Sequence, residues 1–407
     1  MAHIRRTWVE IDQQAFENNV NCFKQIIGPR VMMSVIIKAN AYGHGISEIA
    51  AMAEHNKHIH MLSTVALSEA LAIRNHGIAK PILTLGIIDE DPTQAIIQDI
   101  DMVACDKELL DELNELGRQN GKKCNVHIKI DTGLARLGVL ASEAIPLIQY
   151  ARTLPYINVN GICSHFAESS NQDQTFTKLQ FDRFTSLLKE LENLSIHITY
   201  RHITNSAAST TYDLSTLNMI RIGAGLYGLS PSEPHYTRTL ALHPEYKLDP
   251  VLSWHASVCH VRTLPANVPV GYDRTFTTAK ETKIALLPIG YSDGYHKNLS
   301  NKGIVYFPHA KSFAPVIGSV AMNMTTIDVT HIPDVHIGTE VILVGKQPEI
   351  NANKISDLAD LHNARVVTLN IHHSIPRIVV QPQQSPIEEP MIDAQKNLKL
   401  EAIGSLT

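Results

Sequence analysis

The chain has 407 residues, 44% of them hydrophobic and 18% charged, with a formal net charge of -5. That length excludes a small disulfide-stapled scaffold and calls for two or three domains around a large core. Lysines and arginines are scattered, and no apolar run reaches the roughly 18 residues of a membrane helix, so neither nucleic acid nor membrane is expected as a partner.

In chain order, 7–11 reads as a strand ahead of a helix starting near Asp12, and it can serve either half of the chain. From 31 to 222, short β-branched runs alternate with longer amphipathic stretches, the pattern of repeated βα units. Strands are predicted over 31–37, 61–66, 82–85, 101–105, 126–130, 159–164, 200–204 and 218–222, and eight of them predict a closed (β/α)8 barrel of the α/β class. The helices between carry the expected period. Over 106–121, Leu109, Leu110, Leu113 and Leu116 share one face and Gly121 ends the run. Over 175–194 the corresponding stripe is Phe176, Leu179, Leu187, Leu188 and Leu191.

Past about Leu240 helical periodicity disappears, and 251–264, 283–289, 303–307, 315–322, 326–329 and 340–344 all read as strands. The division predicted is a barrel over 1–240, a mostly β domain over 241–380 packed against it, and a tail over 381–407. The tail is rich in Pro, Gln and Glu, is expected to be mobile or to lie on the surface, and carries no chemistry; 394–402 reads as a short helix.

Five cysteines, Cys22, Cys105, Cys124, Cys163 and Cys259, are odd in number and free of CxxC pairs, so reduced, buried thiols are expected. Histidine clusters at 55–60 and 372–373 lack a recurring Cys or carboxylate partner at ligand spacing, so no metal is expected. Two arginines near the N-terminus precede no apolar segment, which makes cytoplasm the expected setting.

The chemistry concentrates at strand ends. Lys38 leaves the apolar run Val35-Ile36-Ile37 into the small-residue turn Ala39-Asn40-Ala41-Tyr42-Gly43-His44-Gly45. A partly desolvated lysine at a barrel mouth has a lowered pKa and can form a Schiff base with an aldehyde. Taken alone, it reads more readily as an ordinary strand-ending lysine in solvent. Lys129, flanked by Ile128 and Ile130, is predicted to point into the barrel, where it needs a partner. Arg136 offers a planar fork for a carboxylate, and by itself also fits a surface loop. His165 ends the sixth strand and alone fits a core histidine. The stretches after strands seven and eight hold Ser206, Gly223 and Ala224, whose hydroxyl and backbone N–H groups suit a phosphate.

The string from Lys38 to Gly45 resembles the cofactor-lysine motif of the alanine racemase family, and the likeness runs through nearly all of 1–380 in that family's order. It implies pyridoxal 5'-phosphate on Lys38. The phosphate would be taken by Ser206 and the backbone of Gly223 and Ala224 with help from Tyr42, Arg221 would donate to the pyridine nitrogen, and His165 would pack near the ring. It also implies Arg136 and the Met322 backbone on the substrate carboxylate, a Lys129 that orients Arg136 and is often carbamylated, Tyr291 at the site entry, and Tyr272 as second base. An ordinary tyrosine is a poor base at neutral pH, so cationic neighbours are needed, with His165 and Arg221 the candidates.

The resemblance implies a racemase that interconverts L- and D-alanine by two bases and supplies D-alanine for peptidoglycan, working as a head-to-tail homodimer with sites at the subunit interface. Asn323 stands where aspartate is usual and is similar to the broad-specificity amino-acid racemase branch, which keeps serine or larger side chains open. A barrel decarboxylase and a noncatalytic carrier of the same cofactor are the rivals; Arg221 argues against the first, and the β domain with Tyr272 against the second. The family's C-terminal phosphate-contacting tyrosine is expected within 368–377, which contains no tyrosine. Either another group completes the phosphate shell, or the cofactor is held more weakly.

Overall fold

The computed structural model describes residues 6–229, 232–361 and 363–381, and the predicted tail lies outside them apart from Gln381. All eight barrel strands form, as Met32–Ile36, Met61–Ala66, Ile82–Ile87, Ile100–Ala104, Cys124–Asp131, Ile157–Cys163, Tyr200–His202 and Met219–Ile222. They pair in parallel in that order, and Met219–Ile222 returns to Met32–Ile36. The remaining gap is bridged by the Asn218 N–H donating to the Arg201 carbonyl and the Arg221 N–H to the Thr204 carbonyl, each at 3.3 Å, so the barrel is nearly closed.

The period of two along each strand sorts the side chains. Met33, Val35, Val126, Ile128, Ile130, Ile220 and Ile222 join the core under the helices. The alternate positions Ser34, Ser63, His127, Lys129, His202 and Arg221 are also buried, which leaves them to the barrel interior. Burial of each outward aliphatic side chain stabilises the fold by about 1.5–3 kcal/mol, and the polar interior is tolerated only where its groups find partners or a ligand.

Helix Lys107–Asn120 starts where the Asp106 carboxylate accepts the Leu109 N–H at 2.8 Å, and stops at Gly121 with φ 63°. Leu110 and Leu113 are buried and Leu109 and Leu116 pack partly against the core, as the periodicity predicts. Helix Thr175–Asn193 departs from its predicted stripe. Leu179 is 43% exposed, while Gln180 is buried in its place and donates to the His165 carbonyl at 3.2 Å. Polar work at the barrel mouth has displaced an apolar residue from the inner face.

The second half is built on a six-stranded sheet in the order Ser312–Pro315, Ile304–Phe307, Glu340–Val344, Leu252–Ser257, Thr7–Asp12 and Arg377–Val380. The N-terminal strand is therefore lent to the β domain, antiparallel to one neighbour and parallel to the other. The single strand predicted over 251–264 is two, Leu252–Ser257 and His260–Leu264, which belong to different sheets. The strand predicted over 315–322 is only Ser312–Pro315 followed by irregular chain, and helices Ala352–Leu358 and Ala364–Leu369 correct the expectation that helices end near Leu240. All five cysteines are free thiols; Cys124 and Cys163 are buried, but Cys259 is exposed.

Candidate active site

A cavity of about 630 Å³ opens at the C-terminal ends of the barrel strands. It is lined by Lys38, Tyr42, Lys129, Arg136 and His165, and by Ser206, Arg221, Gly223 and Ala224, so the barrel residues singled out in the sequence converge on one volume. Its size suits a cofactor with a small substrate.

Lys38 opens a turn that the sequence could not reveal in full. Ala39, Asn40, Ala41 and Tyr42 have φ of 52°, 52°, 51° and 56°, one continuous left-handed turn made without glycine. Such backbone costs about 1–2 kcal/mol per residue and persists only when its surroundings over-determine it. Here Glu69 accepts the Ala39 N–H at 2.6 Å, Asn40 Oδ1 accepts the Ile46 N–H at 2.8 Å, and the Tyr42 ring packs on Tyr227 with centroids 5.0 Å apart. Gly43, at φ 85°, closes the turn where a Cβ would lie 2.0 Å from the Thr368 carbonyl oxygen. Burial lowers the Lys38 pKa, and the Arg136 cation lowers it further. An amine so placed is a better nucleophile and base at neutral pH than a solvent lysine.

One end of the cavity lies between the first and last strands. Ser206 Oγ accepts the N–H groups of Gly223 and Gly225 at 3.0 and 3.2 Å, which leaves its hydroxyl hydrogen free to donate outward. A Cβ at Gly223 would sit 2.7 Å from the Tyr42 hydroxyl, so only glycine leaves the floor open there. The Gly223 N–H is already committed to Ser206, so this glycine contributes chiefly by its missing side chain.

Arg221 is 3% exposed and is held by the carbonyls of Ser164 at 2.6 Å and Ile203 at 3.1 Å, and by His165 Nδ1 at 3.1 Å. It also donates to His202 Nδ1. Because a guanidinium only donates, His202 must carry its proton on Nε2 and give it to His127 Nδ1 at 2.8 Å. His127 in turn donates from Nε2 to Asp101 at 3.2 Å, so a buried relay crosses the barrel from Arg221 to a carboxylate. Burial lowers the Arg221 pKa to about 10, still charged at neutral pH, and burial followed by the Arg221 cation holds His165 and His202 well below the usual histidine range.

Lys129 is 6% exposed and bonds to none of the described residues; burial pushes its pKa down to about 8. Arg136 is exposed on a loop shaped by Asp131, whose Oδ1 accepts the N–H groups of Gly133, Leu134 and Ala135 at 2.8, 3.0 and 3.1 Å.

Tyr272, Tyr291 and Met322 do not line this cavity. They lie on the β domain, 72%, 43% and 55% exposed. They share a neighbourhood, because Ser319 Oγ donates to the Tyr272 carbonyl at 3.1 Å while the N–H groups of Tyr291 and Ser292 reach the carbonyls of Ala321 and Met322 at 3.1 and 3.0 Å. Asn323 donates to Ser292 Oγ at 2.7 Å. Within one chain Tyr272 has neither His165 nor Arg221 beside it. The cavity also holds Arg365, for which the sequence offered no signal; it stands three residues before 368–377, where the phosphate-contacting tyrosine is expected. Among the described residues no group of three or more His, Cys, Asp and Glu is placed to hold a metal.

A barrel mouth that combines a desolvated lysine, a hydroxyl-and-glycine cradle and a buried arginine paired directly with no carboxylate, joined to a β domain, defines a class of lysine-centred small-molecule enzymes. The models of the alanine racemase N-terminal and C-terminal domains match residues 11–231 and 251–379. The chain belongs to the alanine racemase family. It is 36% identical over 378 residues to an alanine racemase of Methanococcus maripaludis, covering 90% of this chain and 98% of that protein. A Clostridium perfringens alanine racemase is 37% identical over 379 residues, covering 92% and 95%. Among solved structures, an alanine racemase of Clostridium difficile superposes with TM-score 0.86 at 28% identity, covering 94% of this chain and 97% of that one.

Proposed function

We propose that this protein is an amino-acid racemase that interconverts L- and D-alanine with pyridoxal 5'-phosphate held on Lys38. The observation that carries the reading is one cavity in which the Lys38 amine, the Ser206 and Gly223 cradle and the buried Arg221 face the same space. When bound, the cofactor supplies an electron-accepting ring that lets the substrate Cα proton leave.

The chain's own residues do the rest. Ser206, Gly223, Ala224 and Tyr42 form the end that takes the phosphate. Arg221, a donor throughout the neutral range, would leave the nitrogen of the bound ring unprotonated, and its relay to Asp101 fixes its orientation. His165 lies beside Arg221, from where it would pack near the ring of the bound cofactor. Arg136 binds the substrate carboxylate together with the Met322 backbone. Lys129, with a pKa near 8, has the neutral fraction that carbamylation needs, and the resulting negative charge would orient Arg136. Lys38 holds or returns the Cα proton on one face, for the D-enantiomer, and Tyr272 does so on the other, for the L-enantiomer.

Because Tyr272 and Met322 do not reach the cavity of their own chain, the working unit in this reading is a head-to-tail homodimer in which a second copy completes each site, with Tyr291 at the entry. Relatives matched over nearly their full length are alanine racemases, which favours alanine over the broad specificity suggested by Asn323. The same reading places the enzyme in the cytoplasm, in keeping with its unpaired thiols, as a source of D-alanine for peptidoglycan.

The test is α-proton exchange in heavy water across an amino-acid panel. Alanine is expected to exchange fastest, and Lys38→Ala is expected to lose both exchange and borohydride-fixable cofactor. Faster exchange with serine or larger side chains would move the reading to the broad-specificity branch. Exchange retained in Lys38→Ala would overturn it.

A further inference from the structure

The end of the cavity between the first and last strands contains one cation that none of the assigned roles uses. Arg365 sits in helix Ala364–Leu369, which packs on the turn from Lys38 to Tyr42. The dock is tight: Gly43 lies against the Thr368 carbonyl, and Arg377 Nε and Nη2 donate to the Gly43 carbonyl at 3.1 and 3.0 Å. Asn363 Oδ1 accepts both the backbone N–H and the Nε–H of Arg365 at 3.0 Å, which fixes the direction of the side chain. The two terminal nitrogens bond to none of the described residues, and no described carboxylate pairs with them, although the side chain lines the cavity beside Lys38 and Tyr42.

We propose that Arg365 is the cationic phosphate ligand of this enzyme, in the role left vacant by the tyrosine missing from 368–377. The inference rests on the proposed cofactor site. Position selects phosphate over substrate carboxylate. Tyr42 and Gly223 follow the adjacent strands Met32–Ile36 and Met219–Ile222, whereas Arg136 follows Cys124–Asp131, well round the barrel. Arg136 and Arg365 both act electrostatically on Lys38, but Arg365 acts on Tyr42 as well, which places its charge at the Tyr42 side. The other groups assigned there are a serine hydroxyl, a phenol, the Ala224 backbone N–H and a glycine, all neutral, so a phosphate dianion would otherwise meet no counter-charge. A guanidinium with its Nε already held can present its two terminal nitrogens as a fork to two phosphate oxygens.

The experiment titrates the cofactor-free full-length protein with pyridoxal phosphate and, separately, with pyridoxal, reading uptake by absorbance and by borohydride fixation on Lys38. Arg365→Ala is expected to weaken pyridoxal phosphate by about 10- to 100-fold while pyridoxal changes by less than about twofold. Arg365→Lys is expected to recover part of the loss, and added salt to weaken the wild type more than Arg365→Ala. Uptake of pyridoxal by the variant shows that it is folded with Lys38 competent. Equal weakening of both aldehydes, or of neither, overturns the role of Arg365 and leaves the proposed function standing. Failure of the wild type to fix either aldehyde on Lys38 overturns both.

Discussion

The barrel mouth and the exposed face of the β domain are finished to different degrees. At the mouth, the strained backbone and the buried Arg221 are held by partners within the chain: Glu69 and Asn40 brace the left-handed turn, and carbonyls and histidines surround Arg221. On the β face, Tyr272 is 72% exposed and its hydroxyl bonds to none of the described residues, although the backbone that carries it is tied to Ser319. The lesson is that the mouth holds most of its charged and strained groups within the chain, Lys129 and the tip of Arg365 excepted, whereas Tyr272 stands exposed on the β domain.

That contrast can be broken at either end. Tyr272→Phe is expected to lower racemisation by about 10²- to 10⁴-fold, the range of one general acid–base group, while cofactor uptake on Lys38 is unchanged. Loss of uptake instead would show that the β face shapes the mouth rather than serving it. A smaller effect, on stability, is expected from Gly43→Ala. At φ 85° and 2.0 Å from the Thr368 carbonyl the new methyl must displace helix Ala364–Leu369, so the fold should lose about 2 kcal/mol or more in denaturant unfolding. An unchanged midpoint would mean that the turn is not braced by that helix.

Legibility in the sequence followed the same divide. Most of the barrel strands were readable because they bury short apolar runs, although Tyr200–His202 buries only its histidine. Lys38 and Lys129 were readable because they interrupt such runs with charge at a strand end or an inward position, whereas Arg221 came only through the family resemblance. The left-handed turn was not readable, since Ala39, Asn40 and Ala41 show only that they are small. Leu179 was misread because the demand for Gln180 at the mouth outweighed the apolar stripe. Arg365 was invisible because it enters the site through a contact between distant segments, Gly43 against Thr368, which no local pattern encodes. In the β domain, the turn at Val258 and Cys259 splits an apolar run that reads as one strand.

The central claim is that one chain's Lys38 works with Tyr272 of a second copy, and subunit complementation tests it directly. Lys38→Ala and Tyr272→Phe proteins, each inactive alone, are mixed, dissociated and reassociated. Random pairing predicts recovery of about one quarter of wild-type activity, since half of the dimers are mixed and each mixed dimer holds one intact site. No recovery, with mixed dimers demonstrated by mass spectrometry, would place both groups in the same chain's site and contradict the account.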